Sequence, residues 1–128
     1  MKSCVTRILV SLIMLGMWGS AIAEGTARVV WICTLNEGKT LDDVRAANSA
    51  WVRFMQKNVD KGITSSILTP VIGDFEGGRF VFADDFPSFD VWNKAREASE
   101  TDEGQAIDAA LNEVSLCSSS SMYSAEKS

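Results

Sequence analysis

The stretch Ala27-Arg28-Val29-Val30-Trp31-Ile32-Cys33-Thr34-Leu35 decides the fold. Strand alternation places Val29, Trp31 and Cys33 on one face and Val30 and Ile32 on the other, so both faces are apolar. Such a strand belongs at the centre of its sheet, covered on both sides.

Reading outward from it, Asn36-Glu37-Gly38-Lys39 is a turn, and Thr40-Leu41-Asp42-Asp43 has the pattern of a capped helix start with acids in the first turn. Leu41, Val44, Ala47, Trp51, Phe54, Met55 and Val59 recur at three- and four-residue spacings, predicting a helix with one apolar stripe that runs to about Lys57. Gly62 stops it. Ile63 to Ile72 is expected as a second strand, placed at a sheet edge because Pro70 cannot donate to a ladder. The segment Gly73 to Gly78 is a turn. Arg79 to Ala83 is a third strand, with Phe80 and Phe82 on one face and Val81 on the other, so strands two and three form a hairpin. Ser88 caps a second helix that buries Phe89, Trp92 and Ala95; it breaks near Thr101 to Gly104 and continues from Gln105 to Val114. Cys117 to about Tyr123 is the last strand, weakly marked because four consecutive serines say little about packing.

The element order is therefore β-α-β-β-α-β, an α+β, ferredoxin-like split βαβ arrangement with a four-stranded antiparallel sheet of order 4-1-3-2. That order puts the second strand at an edge, makes the two most apolar strands central, and brings Cys33 at the end of the first strand to Cys117 at the start of the fourth. Two helices cover one face only, so the second apolar face needs another cover. A second copy packed sheet to sheet supplies it, and a homodimer through the open face is expected.

The N-terminus sets the compartment. Lys2 and Arg7, the apolar run from Ile8 to Met17 and Ala21-Ile22-Ala23 together read as a cleaved signal peptide over residues 1–23, with Glu24 the first mature residue and a single domain over 24–128. The run is too short for a span of roughly 20 residues. The protein is thus expected to be periplasmic or secreted, where Cys33 and Cys117 are most simply read as one structural disulfide. In the loop-entropy model a bridge of that reach contributes about 4 to 5 kcal/mol. No Cys-x-x-Cys supports a redox role, and two cysteines without histidine are too few for structural zinc.

Loss of two of the 12 basic residues with the signal leaves ten against 17 acidic ones, a net charge of −7. Nucleic acid and anionic membrane are poor partners for that charge. With no histidine anywhere, Ser-His-Asp and Cys-His nucleophiles, a histidine-assisted metal site and a general base poised near neutral pH are excluded, and acid-base work falls to carboxylates, Lys39 or Tyr123. No metal or organic cofactor is expected.

On its element order and the apolar faces of Val29-Val30-Trp31-Ile32 and Phe80-Val81-Phe82, the chain from about Ala27 to Tyr123 resembles the dimeric α/β-barrel superfamily, which includes the antibiotic-biosynthesis-type monooxygenases. The resemblance implies a pocket between sheet and helices for a small, often aromatic molecule, which some members oxidise without a cofactor. Others degrade haem through a histidine ligand, which this chain lacks. No catalytic residue carries over.

Three constellations remain. Asn48 interrupts the helix stripe and is either a structurally satisfied amide or a hydrogen-bonding group in a pocket shared with Trp31 and Trp51. Asp84-Asp85, with Asp90, is either a hard-cation site or a set of turn and first-turn acids. Trp31, Trp51 and Trp92 either fill a core or line a cavity. The reading that follows is a non-catalytic or small-molecule-binding periplasmic protein; the alternatives are a cofactor-independent monooxygenase-like enzyme and a protein-interaction module whose apolar sheet face mates with another chain. A polar, solvent-connected pocket holding Asn48 and a tryptophan favours the enzyme, and a dry, filled core counts against any ligand.

Overall fold

The computed structural model describes residues 25–73 and 77–128. The expected signal peptide and its cleavage point lie outside the described residues, as does the middle of the turn between the second and third strands. The elements are β1 (Thr26–Leu35), α1 (Leu41–Asn58), β2 (Thr64–Leu68), β3 (Arg79–Phe86), α2 (Phe89–Ser99), α3 (Asp102–Val114) and β4 (Ser115–Ala125). The four strands form one antiparallel sheet in the order β2-β3-β1-β4, the ferredoxin-like order read from the other edge.

Helix α1 starts where its polar residues satisfy the orphan N–H groups. Thr40 accepts from the backbone N–H of Asp43, and the Asp43 carboxylate accepts from the backbone N–H of Thr40 at 2.8 Å. Those donors hold the Asp43 carboxyl below its ordinary range. The buried face of the helix carries Val44, Asn48, Trp51, Phe54 and Met55. Burying each large apolar side chain contributes about 1.5–3 kcal/mol, more than any cap, so the stripe decides where this helix lies.

Two apolar clusters hold the layers together. Ala27, Val29, Trp51, Phe54, Met55, Ile63, Phe86 and Ala95 pack at one end, and Cys33, Val44, Phe80, Phe82 and Val114 at the other. Cys33 and Cys117 sit opposite one another in the β1–β4 ladder, their Cα atoms 3.9 Å apart, and form a disulfide.

Several boundaries differ from the expectation, each for a local reason. Strand β2 ends at Leu68, so Pro70 lies beyond the ladder; the strand is nonetheless an edge, paired among the described residues only with β3. Strand β3 continues to Phe86, because Asp84 and Asp85 are paired on both sides, with Val29 and Arg28 of β1 and with Ser65 and Thr64 of β2. The break in the second helix shrinks to Glu100 and Thr101, since the Thr101 hydroxyl accepts from Gly104 N–H at 3.1 Å and restarts the chain as α3. Strand β4 begins at Ser115 and reaches Ala125; its serines carry no apolar signal, but their backbones complete the ladder with β1.

By register, Val30 and Ile32 of β1, Val81 and Ala83 of β3, Leu68 of β2 and Leu116 and Tyr123 of β4 share the face turned away from the helices. Leu68, Leu116 and Tyr123 are each half-exposed or more. On the same face Arg28 grips Asp85 through two hydrogen bonds, at 2.7 and 3.0 Å.

Candidate functional site

Between the two clusters, the sheet and the helices do not close completely. A cavity of about 540 Å³ opens there, walled by Trp31, Trp51, Phe82, Phe86 and Trp92, among others. That is the size range of pockets for small organic molecules. Asn48, Trp31 and Trp51 all line the cavity. Trp51 and Phe86 meet edge to face, 6.3 Å between ring centroids. Trp31 keeps 38% of its surface exposed, because it stands at the opening rather than in the packed clusters.

Two polar residues of the wall, Asn48 and Asp84, are joined through a third that does not line it, Ser65. Each sits at a position whose neighbours on the same face are apolar: Asn48 among Val44 and Trp51 on α1, Ser65 between Ile63 and Ile67 at β2, Asp84 between Phe82 and Phe86 on β3. Ser65 and Asp84 are directly paired across the β2–β3 ladder. The Ser65 hydroxyl donates to Asp84 Oδ1 at 2.6 Å, and Asn48 Nδ2 donates to Ser65 Oγ at 3.0 Å. A hydroxyl has one proton, so the short bond to Asp84 fixes the direction of the relay. Once Asp84 is protonated the relay can reverse, with Ser65 donating to Asn48 Oδ1 across 3.3 Å.

Asn48 and Asp84 are only 8% and 7% exposed. Burial pushes the Asp84 carboxyl up to about 6 from its ordinary 3.8; hydrogen bonds from Ser65 and from the Trp31 indole oppose the rise, and the neighbouring Asp85 charge adds to it. Asp84 forms no ion pair among the described residues, whereas Asp85, one position on and facing the other way, is fully engaged by Arg28. Around the mouth stand Arg96, stacked over Trp92 with its guanidinium carbon 5.2 Å from the ring centroid, together with Glu100 and Asp108. Burial raises the Asp108 carboxyl as well.

The expected alternatives now separate. Asn48 is both satisfied and at the cavity wall. Asp84, Asp85 and Asp90 do not converge: the first faces the cavity, the second faces the open sheet, and the third pairs with Lys94 one helical turn away at 3.0 Å. Among the described residues no cluster of three His, Cys, Asp or Glu side chains could hold a metal. Sequence reasoning missed Ser65 and the inward direction of Asp84; the available signal was a polar residue at an inward strand position, and ending β3 at Ala83 hid it. The exclusion of a base poised near neutral pH fails for the same reason, because burial raises the Asp84 carboxyl to about 6.

No family model matches the chain, and no curated protein matches it. Solved structures do. The cofactor-independent oxygenase SnoaB from Streptomyces nogalater superposes with a TM-score of 0.60 at 13% identity, over 81% of this chain and 96% of its own. A putative antibiotic biosynthesis monooxygenase from Caulobacter crescentus gives 0.56 at 14% identity, over 82% and 93%. A dimeric ferredoxin-like protein of unknown function from Thermobifida fusca gives 0.51 at 10%, over 80% and 92%. In fold, this chain is ferredoxin-like, as these structures are.

Proposed function

We propose that this protein binds one small, largely apolar aromatic molecule in the cavity between sheet and helices, with Trp31, Trp51 and Asn48 among the residues that touch it. The observation that carries this reading is an aromatic-walled opening of about 540 Å³ into which one polar relay, Asn48–Ser65–Asp84, presents its carboxylate. A packing fault would be closed by collapse of neighbouring side chains; this space is bounded by three tryptophans and carries the costly burial of an acid. Native mass spectrometry of the protein purified from its own host tests it. The expected spectrum contains a bound species of a few hundred daltons that leaves on denaturation; an empty protein that also takes up no aromatic probe overturns the reading.

A second reading, a cofactor-independent oxygenase, is favoured by Asp84 in that cavity and by the likeness in fold to SnoaB. A carboxylate titrating near neutrality suits a general base. It would take a proton from an activated methylene of an aromatic ketone; the resulting carbanion passes electrons to dioxygen and forms a C–O bond, and the hydroperoxide loses water to leave a second ketone. One dioxygen thus yields one carbonyl oxygen and one water. Dioxygen uptake with such a ketone, faster than in buffer and lost in Asp84→Asn, supports this reading; uptake equal to buffer removes it while leaving the binding reading intact.

The protein acts, on this proposal, as an exported homodimer. Residues 1–23 are its cleaved signal and Glu24 its mature start, as the basic, apolar and small-residue segments of the N-terminus indicate. The Cys33–Cys117 disulfide is compatible with an oxidising compartment. The apolar outer face of the sheet accords with self-association, and the Thermobifida fusca protein of the same fold is described as dimeric.

A further inference from the structure

Asp84 is a buried carboxylate facing a cavity, and it lacks what such groups normally have. Buried charges are paired with an opposite charge or bind a cation, because hydrogen bonds alone seldom offset their desolvation. Asp84 has the Ser65 hydroxyl at 2.6 Å and the Trp31 indole, both neutral donors, and no cation among the described residues. The nearest sequence neighbour, Asp85, takes its arginine on the opposite face of the sheet.

The rest of the cavity leans the same way. The charged groups facing it are Asp84 on β3, Asp108 on α3, Glu100 just past α2 and Arg96 on α2; α1, β1 and β4 contribute no charged group. Three acids against one base disfavour an anionic guest. Arg96 is itself stacked on Trp92. Trp31 stands beside that carboxylate, and Trp51 and Trp92 line the same cavity; aromatic ring faces attract cations, most strongly when desolvated.

We propose that the cavity selects an aromatic molecule carrying a protonated amine, with its ammonium on Asp84 and its ring among Trp31, Trp51 and Trp92. This deepens the binding reading above and rests on it. The ligand supplies the cation that the fold withholds, and the Ser65–Asn48 relay keeps the receiving carboxylate oriented.

Three probes of one ring test the charge preference by isothermal titration calorimetry on the folded full domain: 1-naphthylmethylamine, 1-naphthylmethanol and 1-naphthoate. At pH 7.5 the amine is expected to bind about tenfold more tightly than the alcohol, the gain of one charge-assisted hydrogen bond, with the carboxylate weakest. In Asp84→Asn the amine-to-alcohol ratio falls to about one. Where that variant does not fold, wild-type protein decides: between pH 7.5 and 5 the amine loses roughly tenfold as the ionised fraction of Asp84 falls, while the alcohol changes less than about twofold. Equal binding of amine and alcohol, a preferred carboxylate, or a ratio that neither pH nor Asp84→Asn alters overturns the charge preference and leaves the aromatic binding reading standing. Binding of none of the three overturns both.

Discussion

Asp84 concentrates most of what is testable at the scale of single residues. Its carboxyl, raised to about 6 in the fold, binds a proton more readily there than in the unfolded chain, whose carboxyl titrates near 3.8. Below both values the group has no effect on stability. As pH rises from about 4 through 6, the unfolded chain gives up this proton first, and the fold loses up to about 3 kcal/mol. Asp43, held low by its capping donors, acts in the opposite sense, but only in more acidic solution. Melting measured from pH 8 to pH 5 is therefore expected to give a higher Tm at the acid end. Asp84→Asn, which keeps the shape and removes the charge, should flatten that slope and gain most at pH 8; a wild-type Tm that is flat or falls towards pH 5 would refute the assignment. Asn48 was legible in the sequence because a helix stripe of seven apolar positions makes one polar intruder visible. Ser65 was not, because the expected strand around it ran to Ile72 through Pro70, and one serine in a short strand carries no weight until its partner across the ladder is known.

Among the elements, the junction of α2 and α3 is the tightest. A Cβ on Gly104 would lie 2.7 Å from the Cα of Ser99 and closer still to the Ala98 carbonyl oxygen, and both are backbone atoms that cannot rotate aside. Gly104→Ala is accordingly expected to cost about 1–3 kcal/mol in urea unfolding, by forcing the two helices apart. A midpoint and slope both equal to those of the unaltered chain would contradict so close an approach of the two helices. The staple between β1 and β4 is the second element-scale claim. Cys33→Ser with Cys117→Ser removes a bridge spanning 84 residues of sequence, and a loss of about 4 kcal/mol is expected in the same assay. A loss under about 1 kcal/mol would mean that the ladder alone holds β4. Central strands and helix caps were readable from residue pattern, since each rests on alternation or on a local donor and acceptor, and the meeting of the two cysteines followed from the strand order. The extent of β3 and β4 was not, because pairing partners far along the chain sustain them past the point where apolar alternation ends.

For the whole molecule, the outer face of the sheet and the inner cavity make separate claims. Val30, Ile32, Val81 and Leu68 lie on the face away from the helices, and self-association through it is expected at micromolar protein. Val81→Asp places an unpaired charge in the middle of that face. Light scattering behind a sizing column should then report the monomer mass, against twice that mass for the unaltered chain; a monomer in both would remove the dimer and leave the cavity untouched. The cavity itself is the central claim, and its tryptophans give it a direct readout. In a ¹H–¹⁵N correlation spectrum recorded during titration with 1-naphthylmethylamine, the indole N–H signals of Trp31, Trp51 and Trp92 are predicted to shift together and saturate. Indole signals that stay in place, or shifts confined to residues of the outer sheet face such as Val30, Ile32 and Val81, would contradict it.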